Sequence, residues 1–419
     1  MNQTRDGGAP RTAVVIGAGM VGLSTAWFLQ ERGVDVTVVD RDSVAAGASW
    51  GNAGWISPGL SIPLPEPSVL RYGLRSLLDR NAPLYVPIRV DVGLWGFLLR
   101  FAAHCTMRAW RRSMQGFIPI NSQCLDAYDQ LAENGITVPT VDAPITAAFE
   151  KRAQAADLLR ELRLIRDSGQ EIGFAEMTGD ELRERMPQVS QRVELAIRLD
   201  GQRYVDPGAY TKALGEAVVK RGGTLREGFT VTDIRPDSGA IAVRSTTGES
   251  VRGDVVVLAA GSWITGLARK LGVRTRVQAG RGYSFTVPTE QPVPGPLYLP
   301  AVRVACTPYQ GKLRVAGTME FRGPDDPLDP GRIRAIIASA RPLMEGISWE
   351  DRTDEWVGPR PVTPDGLPLI GATKAPGVYV AGGHGMWGLT LGPITGRLLA
   401  EQITTGKRPE ALAAFDPLR

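Results

Sequence analysis

Residues 13–22, Ala-Val-Val-Ile-Gly-Ala-Gly-Met-Val-Gly, constrain the fold more than any other stretch, because a buried parallel strand runs there into three spaced glycines and then a helix. Gly17 allows a tight turn, Gly19 lets the backbone approach a pyrophosphate, and Gly22 lets the helix pack on its strand. After Met20 the helical pattern opens at Val21, and the first N–H groups and positive dipole end of that helix then face the phosphates. The helical pattern runs to Arg32 and stops at Gly33, and a second strand, Val34 to Val39, ends in Asp40, placed to accept from ribose hydroxyls. A chance glycine turn in an unrelated strand-helix unit is the plain alternative, and this context argues against it.

Arg41, directly after Asp40, reads either as a partner for a nucleotide 2′-phosphate or as a solvated rim charge, and the retained acid at the ribose position favours the rim charge. Residues 45–59 carry Ala48, Ser49, Asn52, Ala53, Gly54 and Trp55 in a run too rich in small residues for a packed element. Such a backbone suits lying flat against a ring system; a flexible linker is the alternative, against which Trp50 and Trp55 speak.

With 43% hydrophobic and 22% charged residues, 419 residues are enough to bury large cores and to divide into two units. A net charge of +4, interspersed and not striped, argues against nucleic acid as a partner. Cys105, Cys124 and Cys306 share no metal spacing and cannot all pair, so free thiols in a reducing compartment are expected; with only His104 and His384, no metal site is expected. The polar residues 1–11 read as a short disordered lead without the apolar core of a signal peptide. The apolar stretch Val92 to Ala103 is too short to cross a bilayer. Trp95, Phe97, Leu98, Phe101 and Trp110 lie among Arg100, Arg108, Arg111 and Arg112, which fits core packing or contact with a membrane surface.

The order and spacing of several blocks carry a family resemblance along nearly the whole chain: GAGMVG at 17–22, GASWGNAGWISPG at 47–59, YVDPGAYTKAL at 204–214, VVVLAAGSW at 255–263, GRGYSFTVP at 280–288, RVAGTME at 314–320, GPRPVTPDGLPLIG at 358–371 and VYVAGGHGMWGLTLGPITGRLLAE at 378–401. The chain resembles the FAD-dependent amine and amino-acid oxidoreductases of the D-amino-acid oxidase superfamily, most closely the bacterial D-amino-acid dehydrogenase branch. It departs from them at Asp40, where glutamate is usual, and at Trp387, inside a block that varies.

The resemblance implies an α/β fold in which a Rossmann-like FAD-binding domain (1–59, 190–275, 357–419) is interleaved with an α+β substrate domain (60–189, 276–356) built on an antiparallel sheet. Residues 60–190 read mainly as helices, including Gln154 to Asp167 and Asp180 to Met186. Strands are expected at Phe229 to Ile234, Ala240 to Ser245, Asp254 to Leu258, Gly282 to Val287 and Lys312 to Met319. A closing strand at Val378 to Val380 and a helix at Pro393 to Ile403 complete the first domain. The glycine run from Gly383 to Gly388 is a second literal GxGxxG, but its helix is expected only after Pro393, and no strand ending in an acid follows; it reads as a loop beneath a flavin ring.

In the resemblance, noncovalent FAD contacts Gly385, Gly388, Leu389 and Thr390, the small-residue edge Ala260, Gly261 and Trp263, and the backbone of Val231, which could equally be a core valine; Thr390 could be a routine turn residue. Arg360, fixed between Pro359 and Pro361, is the expected anchor for a substrate carboxylate and a flavin neighbour, with a surface or inter-domain ion pair as the alternative. Tyr283 either donates to the same carboxylate, shields the flavin or packs in the core; His384 and Trp387 are expected to wall the pocket. Cys306 raises the question of a covalent flavin, and a structural or free thiol is expected there.

The expected activity is oxidation of a D-configured or cyclic amino acid, such as D-proline or hydroxyproline, by hydride transfer from Cα to flavin N5, with electrons passed to a quinone or other redox partner. The alternatives are an oxygen-using glycine or sarcosine oxidase, a non-catalytic FAD-binding assembly protein and an NAD(P) dehydrogenase. The expected location is cytoplasmic, with peripheral contact at the inner face of the membrane as a further expectation.

Overall fold

The computed structural model describes residues 8–70, 82–87 and 90–419; the start of the expected lead and part of the helical stretch after residue 60 lie outside them. The strand Thr12–Ile16 lies at the centre of a six-stranded sheet ordered Thr224–Arg226, Asp35–Val39, Thr12–Ile16, Val255–Leu258, Val378–Gly382, Leu369–Ala372. The first five are parallel and the last is antiparallel. Apolar residues of these strands are covered on both faces, which is why they read as uninterrupted hydrophobic runs. Ile16 is in register with both Val39 and Leu258, so Gly17, Asp40 and Ala259 emerge together at the carboxyl edge, where a doubly wound sheet opens a crevice.

The helix Met20–Glu31 is buried nearly all round, because a second glycine-bearing helix, Gly388–Thr405, lies against it. A Cβ on Gly396 would come 2.6 Å from the Ser24 carbonyl carbon, and one on Gly392 2.6 Å from Met20 Cγ. Only glycine permits that approach.

The second helix begins five residues before the position expected from Pro393. Trp387 is its N-cap, the Leu391 N–H donates to the Trp387 carbonyl, and Pro393 sits inside the helix. Proline lacks the N–H that would reach the Leu389 carbonyl, and the buried Tyr128 hydroxyl donates to that oxygen at 2.6 Å instead. This long-range replacement makes an internal proline tolerable.

The other large sheet has nine strands, with the path Thr353–Val362, Gln278–Val287, Lys312–Phe321, Val304–Tyr309, Leu297–Leu299, Ile145–Phe149, Leu195–Leu199, Phe174–Thr178, and Leu84–Tyr85 added beside Lys312–Phe321. Leu195–Leu199, which the boundary at residue 190 places with the nucleotide unit, hydrogen-bonds instead between Ile145–Phe149 and Phe174–Thr178. Thr353–Val362 likewise joins this sheet although it carries Arg360. A strand's edge partners, which its own sequence does not specify, decide both placements.

Strand alternation gives the sheet two unlike faces. Tyr283, Phe285 and Val287 pack with Val304, Cys306, Leu313 and Val315 against the helix Pro330–Ala340. On the other face, Gly280, Gly282 and Ser284 stand opposite Arg360, Gly358 and Trp356. That smaller, more polar face meets the run around residues 50–55: Ser284 Oγ donates to the Gly51 carbonyl (2.8 Å), Arg314 to that of Trp50 (3.1 Å) and Thr307 to that of Ala53 (2.6 Å). The small-residue run is therefore a pinned surface loop, with the expected linker alternative set aside.

Candidate active site

A cleft of about 490 Å³ opens at the carboxyl edge of the parallel sheet and reaches Arg360 on the second sheet. Its floor is backbone. A Cβ on Gly17 would overlap the Ala259 carbonyl, and one on Gly22 would overlap the Gly17 carbonyl oxygen, so both positions exclude any side chain. Gly17 also has φ +115°, a conformation that favours glycine. Gly22 acts beneath the surface, whereas Gly17, Gly19, Met20 and Val21 line the cleft. Ser49 Oγ accepts the Met20 N–H at 3.1 Å, so the helix start and the small-residue loop meet at this point.

Asp40 lines the cleft with both carboxylate oxygens anchored, Oδ2 accepting from the Ala18 N–H (2.7 Å) and Oδ1 from the Asp42 N–H (2.8 Å). Burial raises its pKa, outweighing the opposing effect of these two hydrogen bonds. Arg41 stacks on Trp263 with Cζ 4.4 Å from the ring centroid and pairs with Asp42 and Asp325, in keeping with the rim-charge reading. Ala48, Ser49, Asn52, Val231, Ala260, Gly261 and Trp263 also line the cleft, as do Phe229, Thr232 and Leu267, which the sequence reading missed.

Gly385, Gly388, Leu389, His384 and Arg360 line the same cleft. Because the second helix opens at Gly388, two helix N-termini border the same cleft, each contributing partial positive charge. His384 is buried, its Nε2 lies 3.0 Å from Thr395 Oγ1, and burial lowers its pKa to about 4, so the imidazole is neutral at physiological pH. Arg360 Nη1 donates to the Thr318 carbonyl at 2.8 Å, and among the described residues no carboxylate forms a salt bridge with it. Desolvation lowers its pKa to about 10, which leaves a cation at neutral pH.

Two features of this region were missed in sequence, and the first explains how Arg360 is held. Pairing between Gln278–Val287 and Lys312–Phe321 jumps from Arg281 opposite Glu320 to Tyr283 opposite Gly317, a bulge that contains Thr318 at φ +60°. A β-branched residue rarely adopts that conformation, which here accompanies a carbonyl turned toward the guanidinium. Trp356 packs over Gly51 and Gly358, where a Cβ would overlap its ring. Its signal was the alternation that puts residues 356, 358 and 360 on one strand face.

Several expected site residues do not line this cleft. Tyr283 is fully buried on the apolar face of the sheet, its hydroxyl 2.5 Å from Glu320 Oε1, because strand parity turns it away from Gly282. Thr390 accepts the Ser57 N–H and donates to the Trp55 carbonyl, while Trp387 donates to the Ile62 carbonyl at 2.8 Å. Trp55 donates to Thr307, and Ala53 and Gly54 carry the chain toward it; these residues shape the loop behind the cleft. Cys306 is buried in the apolar cluster beside Met344, in keeping with a structural thiol.

The cleft fits FAD: its side-chain-free backbone floor, anchored Asp40 and two helix N-termini suit a dinucleotide. Comparison with known proteins agrees. Residues 12–402 match the family model described as DAO, FAD dependent oxidoreductase. A D-amino acid dehydrogenase of Methylobacterium nodulans is 32% identical over 95% of this chain and 96% of its own length, and one of Vibrio vulnificus is 31% identical over 97% and 99%. Among solved structures, glycine oxidase of Geobacillus kaustophilus superposes with TM-score 0.76 at 23% identity, covering 98% of both chains, which shows the shared fold. The chain belongs to the DAO family of FAD-dependent oxidoreductases.

Proposed function

We propose that this enzyme oxidises D-amino acids, cyclic ones included, to the corresponding imines. The observation that carries the reading is Arg360: a guanidinium at the cleft, without a carboxylate partner among the described residues, is suited to bind a substrate carboxylate through two oxygens. The names of the curated relatives support the amino-acid substrate and the D configuration.

In this reading the six-stranded sheet is the cofactor unit and the nine-stranded sheet the substrate unit, with Arg360 at their junction. FAD, when bound, would supply the acceptor of the hydride that leaves the substrate, and with it of both electrons of the oxidation. Arg360 fixes the carboxylate and thereby the position of the Cα–H, so orientation carries most of the catalysis. The substrate amine has already lost its extra proton to solvent when hydride departs, leaving a C=N bond that water hydrolyses to the keto acid and ammonia unless the imine is cyclic. Neutral His384 borders the site and shapes it, and no step requires it as a base.

Electrons leave to a quinone or another redox partner. The helix Val92–His104 supports contact with an anionic bilayer: Phe97 and Phe101 are buried in one apolar cluster and Trp110 of the next helix in another, while Val92, Trp95 and Leu99 are exposed, close in sequence to the exposed Arg100, Arg108, Arg111 and Arg112. No helix among the described residues is long and apolar enough to cross a membrane.

The direct test is anaerobic bleaching of the flavin by D- and L-amino acids, proline analogues and N-methyl amines. D-amino acids should bleach it, and Arg360→Ala should raise KM by about 10- to 1000-fold through loss of a charge-assisted contact. Bleaching by N-methyl amines alone, or an unchanged KM, overturns the assignment. Stoichiometric hydrogen peroxide would overturn the non-oxygen acceptor.

A further inference from the structure

We propose that Asp325 is a positioning residue that latches FAD into the cleft from outside the nucleotide unit. Arg41, just beyond the strand Asp35–Val39, and Trp263, at the end of the turn Gly261–Trp263, both line the cleft. Asp325 does not. It lies between the strand Lys312–Phe321 and the helix Pro330–Ala340, in a segment that belongs to the other sheet.

The three side chains form a closed set of contacts. Trp263 Nε1 stands 3.0 Å from each Asp325 oxygen, Arg41 Nη1 is 3.3 Å from Asp325 Oδ1, and the Arg41 guanidinium covers the Trp263 ring at 4.4 Å. Asp325 therefore accepts from the Trp263 indole and gives Arg41 a second carboxylate besides Asp42, and it ties the loop after Lys312–Phe321 to the rim of the nucleotide unit. Because Arg41 and Trp263 line the cleft, FAD held there would contact both, and the Asp325 contacts would hold these two side chains against its release.

The contact set also bears on nucleotide choice: Arg41 is engaged by two carboxylates and an aromatic face, an arrangement that opposes binding of a 2′-phosphate. The side chains of Arg41 and Asp325 are 39% and 63% exposed, so salt screens the pair and the expected effect is moderate.

The inference rests on the cleft being the FAD site, and the experiment separates the two. Purified holoenzyme is ultrafiltered in FAD-free buffer and the flavin lost is followed over time, with apoprotein Tm as the control for folding. Asp325→Ala should release FAD about 3- to 10-fold faster with an unchanged apoprotein Tm. Asp325→Asn, which keeps an acceptor for the indole but loses the charge, should fall between. One molar salt should speed release from the wild type and leave Asp325→Ala nearly unaffected. Release from Asp325→Ala at the wild-type rate overturns the latch, as does a fall in apoprotein Tm that accounts for the faster release. A wild-type protein that binds no flavin at all overturns the underlying site.

Discussion

Gly282 lies directly beneath the guanidinium of Arg360, in the space that a Cβ at residue 282 would need: it would overlap Nη2 and Cζ. The two residues are on neighbouring strands, with Gly282 opposite Gly358 and Arg360 opposite Gly280, and the missing side chain of Gly282 leaves the space that the arginine occupies. The fork is held from below by an absent side chain and at one end by the Thr318 carbonyl. Gly282→Ala should displace Arg360 without removing its charge. The dissociation constant of a competitive carboxylate ligand, read from the flavin absorbance change, should rise about 10- to 100-fold, the range of a charged hydrogen bond. A ligand lacking the carboxylate should bind Gly282→Ala as it binds wild type. Equal loss for both ligands would point to general disruption and against this role.

Tyr128 offers a test of the helix Gly388–Thr405, which borders the cleft. Its hydroxyl replaces the donor that Pro393 lacks, and both partners are buried. Tyr128→Phe leaves the Leu389 carbonyl without that donor, and denaturant unfolding should show a loss of about 1–3 kcal/mol. Adding Pro393→Ala restores a backbone donor, so the double variant should recover part of the loss. Additive losses in the two single variants would contradict this coupling.

The backbone floor of the cleft was legible because its signals are local. Gly17, Gly19 and Gly22 act through backbone within one turn, and Asp40 ends the next strand, so their spacing carries the geometry. Arg360 was legible as a chemical type in a rigid setting. The contents of the nine-stranded sheet, expected to be antiparallel but carrying two parallel pairings, were harder, since every residue of Gln278–Val287 is buried on one face or the other. Polarity therefore could not tell whether Tyr283 or Gly282 faces the cleft. The bulge at Thr318 depends on pairing with a strand more than thirty residues earlier, and the helix start at Gly388 depends on a tyrosine more than 250 residues away. Neither partner leaves a mark in the local sequence.

The exposed ridge on Val92–His104 predicts lipid binding that depends on both apolar contact and charge. Val92 is 85% and Leu99 72% exposed, seven residues apart on one helix, so both lie on the outward face. The holoenzyme should sediment with anionic phosphatidylglycerol vesicles and far less with phosphatidylcholine. Leu99→Glu should weaken vesicle binding about 10-fold or more, from lost apolar burial and added repulsion, while flavin content stays constant. Protein that remains wholly in the supernatant with anionic vesicles would remove the membrane reading.

His384 predicts a particular dependence of stability on acid. In the folded chain burial depresses its pKa to about 4, below the usual value of 6.5, so between those values the unfolded chain binds more protons there. Its contribution to stability is thus intact above pH 6.5, erodes as pH falls through this window, and is fully lost below about pH 4, reaching on the order of 3 kcal/mol. Replacing the ring with a neutral side chain of similar polarity, as in His384→Gln, should remove this portion of the slope. The difference in unfolding free energy between wild type and His384→Gln should accordingly shift in favour of the variant as pH drops from 6.5 to 4. At the same time, kcat/KM of the wild type should show no inflection from this imidazole between pH 6 and 8. A wild-type inflection there that disappears in His384→Gln would instead mean that the ring titrates in the working enzyme.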